Sequence, residues 1–163
     1  MDQTESRIRV QLLGWMVSDG LDLYIAVHNK IFAEAQTLKS VFKTLLGRGA
    51  SMGSLLEDAE RLGPIWNTIA LEVEAFRTKH PSKLTSDEIR YIGILSRYVE
   101  AVRTTVVLLI ERQNLWNEGS KSWRNSTVTY FKMKMMSKRY EAAIAGYLAI
   151  GHELQAAAQT IFE

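Results

Sequence analysis

Apolar residues recur at nearly unbroken 4,3 spacing in two stretches of the chain. The first is Leu55, Ala59, Leu62, Trp66, Ile69, Val73 and Phe76. The second is Ile92, Leu95, Val99, Val102, Val106 and Leu109, followed by Gln113 and Trp116. One side chain per helical turn on a narrow stripe is how a helix packs lengthwise against a near-parallel neighbour. Two further stripes share the period: Tyr24, Val27, Ile31, Ala35, Leu38, Phe42, Leu45, and Met136, Tyr140, Ile144, Tyr147, Gly151, Leu154, Ala158, Ile161. No period-2 run bounded by turn residues marks a strand.

Gly, Ser and Pro cluster at 47–54, 80–86 and 119–127, and three breaks make four long helices. The first is expected from about residue 4 to 46, stopped by Gly47 and Gly49, which supply a left-handed conformation. Within it, Ser18-Asp19-Gly20 reads as a break and a fresh N-cap. That sets residues 1–18 apart as an N-terminal helical arm, whose apolar residues are too many for one face. The second helix is expected over about 54–79. Its Gly63-Pro64 predicts a kink, since proline removes an amide donor and crowds the preceding turn. Thr85 and Glu88 form a T-x-x-E capping box at the start of the third helix, which should end near residue 118. This helix is apolar on every face from Val106 to Ile110, a pattern suited to a bundle centre or a subunit contact. The fourth starts near 126 or 127, runs almost to 162, and is rich in Ala and Gly, which allow another helix to approach closely. Short connections force sequential helices to run antiparallel. The predicted fold is all-α: an up-down-up-down four-helix bundle forming one domain over 1–163.

Composition narrows the function classes. The formal charge of +2 on 163 residues gives no global reason for a nucleic-acid or membrane partner. The absence of cysteine excludes disulfides, thiolate metal sites and covalently attached c-type haem. The start MDQTESRIRVQ lacks an apolar stretch behind basic residues, so no secretory signal is expected. No uninterrupted apolar run is longer than 106–110, so no transmembrane segment is expected either, and the default location is the cytoplasm.

Catalytic and cofactor motifs are missing. Di-iron bundles use Glu-x-x-His, but the residues three before His28, His80 and His152 are Ile25, Arg77 and Ala149. Met16 and His152 stand at similar heights on antiparallel helices, which faintly resembles the Met/His haem ligation of four-helix b-type cytochromes. The likeness covers two residues and no surrounding motif; a core methionine and a surface histidine are the simpler reading. No cofactor or metal is expected. No nucleophile sits in a G-x-S-x-G setting, and no enzymatic constellation can be named. The glycine-rich stretch 47–54 invites a phosphate-loop reading, but the Gly-Lys-Ser/Thr ending and a preceding strand are absent. An interhelical turn is the plainer reading, with adventitious anion binding at that end still physically reasonable. Asn125-Ser126-Thr127 matches a glycosylation sequon and reads more economically as an N-cap.

The most distinctive local chemistry is 119–140. Lys121, Arg124, Lys132, Lys134, Lys138 and Arg139 occur there without Asp or Glu, interleaved with Trp123, Tyr130, Phe131 and Tyr140. Cations neutralise phosphates, and aromatic rings stack on bases or sit at a lipid interface. Subtracting those six cations from +2 leaves the rest of the chain at −4. Charge is therefore polarised, and two molecules would attract head to side.

Three functions follow as expectations. The first is a non-catalytic interaction module that self-associates or binds another helical protein, using apolar surface beyond one inner stripe per helix. Its candidate residues are Ile8, Leu12, Trp15, Val107, Leu108, Ala142, Gly146 and Ala149. The second is a binder of nucleic acid or an anionic surface through Lys121, Trp123, Arg124, Lys132, Lys134, Lys138 and Arg139. The third is a small hydrophobic-ligand binder. Gln113 interrupts an apolar seam, so a buried amide there needs partners, and Trp66, Trp116, Tyr24 and Tyr147 would line the pocket.

Overall fold

The computed structural model describes residues 3–35, 52–79, 84–121 and 130–162, all helical apart from Leu84 and Thr85. The helices are α1 (Gln3–Ala35), α2 (Met52–Lys79), α3 (Ser86–Lys121) and α4 (Tyr130–Phe162). The expected extension of the first helix past Ala35, most of the glycine-rich turn, the sequon and the start of the fourth helix near 126 lie outside the described residues.

Cross-helix contacts fix the directions. Lys30 meets Asp58 and Gly20 meets Ile69, so α1 and α2 are antiparallel. Gly63 lies against Ile110 and Asn67 against Arg103, which reverses α3 on α2. Arg97 pairs with Glu153 and Arg112 approaches Ser137, which reverses α4 on α3. His28 with Tyr140, and Arg7 with the Ile161 carbonyl, close the ring between α1 and α4. The fold is an up-down-up-down four-helix bundle.

The seams read from the sequence are the core. Every member of the α2 stripe from Leu55 to Phe76 is buried, and so are Ile92, Leu95, Val99, Val102, Val106, Leu109 and Gln113 of α3. α2 runs through Pro64 without interruption, and the Thr68 hydroxyl donates to the Pro64 carbonyl at 3.0 Å. The capping box forms as its residues require. The Thr85 amide donates to Glu88 Oε2 at 2.8 Å, and the Glu88 amide donates to Thr85 Oγ1 at 3.2 Å.

α3 carries a second buried seam. Tyr91, Tyr98, Thr105 and Arg112 follow one another at seven-residue intervals and are all buried. With one flank on α2 and the other on α4, α3 is the central helix. That explains much of its apolar excess, but not all of it. Leu108 is buried in the core, so it is not part of an outer surface, whereas Val107 is about half exposed.

The expected break at Ser18-Asp19-Gly20 does not occur. α1 is one helix from Gln3 to Ala35, and the N-terminal arm is its first half. Gly20 serves close approach instead of termination. A Cβ at this position would lie 2.5 Å from Ile69 Cδ1 and 3.5 Å from Trp66 Cζ2. The missing side chain lets α1 settle onto α2, and a helix interior tolerates one glycine at a cost of about 1 kcal/mol.

α1 holds a stretch apolar enough for a membrane span although no uninterrupted apolar run in it is long. Thr4–Ala33 is long and apolar enough by length and composition to cross a bilayer, an 18-residue window within it having mean hydropathy 1.2, with 28% of that window buried inside the bundle. Uninterrupted runs miss it because Asp19 and Asp22 divide it. Two faces produce the apolarity. Val10, Val17, Tyr24 and Ile31 point into the core, while Ile8, Leu12, Trp15 and Leu23 lie on the opposite side, each at least half exposed.

Candidate functional site

α1 stands off from α4, whereas α3 lies close to both α2 and α4. Large aromatic and polar side chains fill the wider α1–α4 gap. The Tyr140 hydroxyl is 2.7 Å from the Tyr24 hydroxyl and 2.7 Å from His28 Nδ1. Tyr24 and Tyr140 are each 1% exposed, so no water stands in for these bonds. Tyr147 meets Tyr24 edge-on at 6.0 Å and Tyr98 at 6.1 Å. His28 stacks on Phe32 at 4.4 Å, and Phe32 lies nearly parallel to Tyr140 at 5.8 Å.

Arg112 closes this ladder from α3. Its guanidinium carbon sits 4.5 Å from the Phe32 ring centre and 5.7 Å from the Trp116 ring centre. Its Nε–H donates to Ser137 Oγ at 3.4 Å. Arg112 is 7% exposed, yet no carboxylate pairs with it among the described residues.

Burial sets the protonation states. It raises the Tyr24 phenol far above its ordinary range and pushes Tyr98 and Tyr140 up to about 12. Burial, and next the charge of Arg112, lower the His28 imidazole below its usual value. The phenols and the imidazole are therefore neutral near pH 7, and the two 2.7 Å contacts are satisfied by a proton order running from Tyr24 to His28. Tyr24 O–H donates to the Tyr140 oxygen, Tyr140 O–H donates to His28 Nδ1, and the imidazole proton resides on Nε2. The reverse order would turn the Tyr24 proton toward the Tyr147 hydroxyl, whose hydrogen bonding also acts on Tyr24.

The lowered imidazole makes stability depend on pH with a definite sign. The unfolded chain holds the His28 proton more tightly than the folded one, so stability is full above about pH 6.5 and falls as pH drops through it. The groups facing His28 are Tyr24 and Phe32 on its own helix, Arg112 on α3 and Tyr140 on α4. None of them is an acid that would welcome an imidazolium. Melting temperature is expected to decline between pH 6.5 and 5, and His28→Asn should flatten that decline. An unchanged slope in the variant would exclude His28 as its source.

Three buried polar atoms lack partners among the described residues: Ser6 Oγ, Trp66 Nε1 and Gln113 Nε2. Gln113, at 2% exposure, is a seam residue and does not reach water. Trp116, expected to continue that seam, is 40% exposed and covers Arg112 instead. Two surface grooves lie between helices. One of about 400 Å³ is bordered by Leu12, Met16 and Phe76, and one of about 610 Å³ by Leu71, Val99 and Arg103. Neither is lined by Trp66, Trp116, Tyr24 or Tyr147, the residues expected around a ligand in the core. Met16 borders the first groove, while His152 is exposed on α4, so the two do not converge on one ligand. Among the described residues no cluster of three or more His, Asp or Glu is placed to hold a metal.

The outer surfaces distribute the remaining candidates. Ile8, Leu12 and Trp15 are 53%, 52% and 58% exposed on the outer face of α1. Ala142, Gly146 and Ala149 are exposed on α4, and a Cβ at Gly146 would meet nothing within 4 Å. Lys132, Lys134, Lys138 and Arg139 are exposed in the first turns of α4. Helical spacing puts Lys132 and Arg139 on one flank, and Lys134 and Lys138 on another beside the exposed Phe131 and Met135. Tyr140, expected among the surface aromatics, belongs to the buried ladder. Trp123 and Arg124 lie outside the described residues, as does the Lys121 side chain.

Sequence reasoning missed Arg112, His28, Phe32 and Ser137. The signal for Arg112 was present: following Tyr91, Tyr98 and Thr105 by sevens leads to it. The chain matches no protein-family model, and no curated protein or solved structure matches it either.

Proposed function

We propose that the protein is a non-catalytic, self-associating bundle in which the outer face of α1 docks on the outer face of α4 of a second copy. The carrying observation is the second 4,3 seam of α1. Ile8, Leu12 and Trp15 are half exposed directly opposite the buried Val10–Val17–Tyr24–Ile31 line. A soluble helix needs one apolar stripe, and a second invites a partner.

Size and charge favour α4 as that partner. Large α1 side chains fit the ridge of Ala142, Ala145, Gly146 and Ala149, where backbones can approach closely. Further along the same face α1 carries Asp19 and Asp22, and α4 begins with Lys134 and Lys138. An antiparallel register placing Trp15 over Ala145 brings Asp22 beside Lys138, because both offsets are seven residues. Such a contact closes into a two-fold pair where α4 of the first copy meets α1 of the second in return, and otherwise builds a ring or an open filament.

Sedimentation equilibrium tests the reading. The wild-type protein is expected to show a mass that rises with concentration. Leu12→Asp should weaken association by about 2–3 kcal/mol, roughly 30- to 150-fold, with helical circular dichroism unchanged. Lys138→Asp should weaken it less, and adding Asp22→Lys should restore part of the loss. A strict monomer at high concentration would sink the proposal. Salt-sensitive retention on heparin by that monomer, lost on reversing Lys134 and Lys138, would favour an anionic partner for α4.

A further inference from the structure

We infer that Arg112 is the recognition residue of a small-oxyanion site at the junction of α1, α3 and α4, taking a phosphate or carboxylate group on the open edge of its guanidinium. Arginine is almost never buried without a partner, because withdrawing its charge from water is costly unless an anion answers it. No acid pairs closely with it among the described residues: Glu141 acts on it through its charge but forms no ion pair with it. The surrounding imidazole and phenols are neutral, and its one polar contact is the Ser137 hydroxyl at 3.4 Å.

The contacts around Arg112 leave two of its nitrogens for such a ligand. A guanidinium presents five N–H donors in its plane. Its guanidinium carbon lies over the Phe32 and Trp116 rings, at 4.5 Å and 5.7 Å, and those rings attract its charge without supplying an oxygen acceptor to its N–H groups. Nε is directed to Ser137, and the two terminal nitrogens have no hydrogen-bond partner among the described residues. Those nitrogens form the fork that grips two oxygens of one anion. Trp116, 40% exposed, places the site one side chain below the surface.

Charge on the neighbouring turns of α4 favours an anion. Lys132, Lys134, Lys138 and Arg139 are exposed there, around Ser137. Arg112 is the member of that basic surround that packing holds in one orientation, and a fixed fork selects a two-oxygen anion where mobile lysines do not.

The test uses the full chain labelled with ¹⁵N and titrated with inorganic phosphate, and separately with acetate, at ionic strength held constant with chloride. The Arg112 Nε–H resonance is expected to move saturably. Melting temperature should rise by about 3 °C once the anion reaches tenfold its Kd. Arg112→Lys keeps the charge, loses the fork and should bind at least tenfold more weakly. Arg112→Met should show no anion response, while melting in chloride no lower than the wild-type protein. A stronger response to phosphate assigns a phosphate ester as the natural group, and a stronger response to acetate assigns a carboxylate. An Arg112 resonance unmoved by either anion overturns the site. So does an equal melting shift in wild-type and Arg112→Met protein, which would place binding on the surface lysines.

Discussion

Trp66→Ala is expected to destabilise the bundle by about 3 kcal/mol, lowering the melting temperature by roughly 6–12 °C. Trp66 is fully buried at the centre of the α2 seam, and its ring borders the point where Gly20 brings α1 closest. Removing it opens a cavity that helices held on both sides cannot close. Truncating a buried Trp costs about 3–5 kcal/mol, but its indole N–H has no partner among the described residues, and losing that orphan donor returns about 1 kcal/mol or more. Trp66→Phe separates the two contributions. It keeps most of the ring and deletes the orphan donor, so its cost should be about 1 kcal/mol or less. Urea unfolding at constant m-value measures both variants. A loss under 1 kcal/mol for the alanine variant would show that this layer is not close-packed.

The second large effect is expected from a single atom. Tyr140→Phe removes the hydroxyl shared by Tyr24 and His28, and should cost about 2–3 kcal/mol. The Tyr24 proton is then left with only the Tyr147 hydroxyl to turn to at 1% exposure, and His28 Nδ1 loses its donor. Tyr24→Phe should cost about 1 kcal/mol or less. It deletes only the outermost donor, and leaves the Tyr140 oxygen with an unfilled lone pair and no stranded proton. The asymmetry reads the direction of the hydrogen-bond chain. Equal costs in the two variants would overturn the proton order derived above. The double variant should cost less than the sum of the singles, because both remove the same bond.

Much of the architecture is legible from the chain. The α2 stripe, the α3 stripe as far as Gln113, and the Thr85–Glu88 cap each depend on residues within a few turns of one another. Local spacing is enough to recognise them. Ser18-Asp19-Gly20 shows where that logic fails. The same tripeptide that would begin a helix in isolation lies inside one, because Ile69 and Trp66 of another helix occupy the space beside Gly20. Packing across the bundle outweighs a local capping preference worth about 1 kcal/mol.

The candidate site was less legible for the same reason. Arg112, His28, Phe32, Ser137 and Tyr140 come from three helices, with up to 112 residues separating hydrogen-bonded partners. No spacing rule joins them; Tyr140 looked like one more aromatic in a basic stretch, yet it holds the hydroxyl on which two other helical groups depend. Apolar periodicity was sufficient to specify four helices, their antiparallel order and most of the inward faces, because burying one stripe per helix is a local requirement. Which polar groups met in the α1–α4 gap, and which apolar residues remained outside, depended on how far apart whole helices came to rest. That spacing follows from side-chain volumes summed across the bundle, and no single stretch of chain contains it.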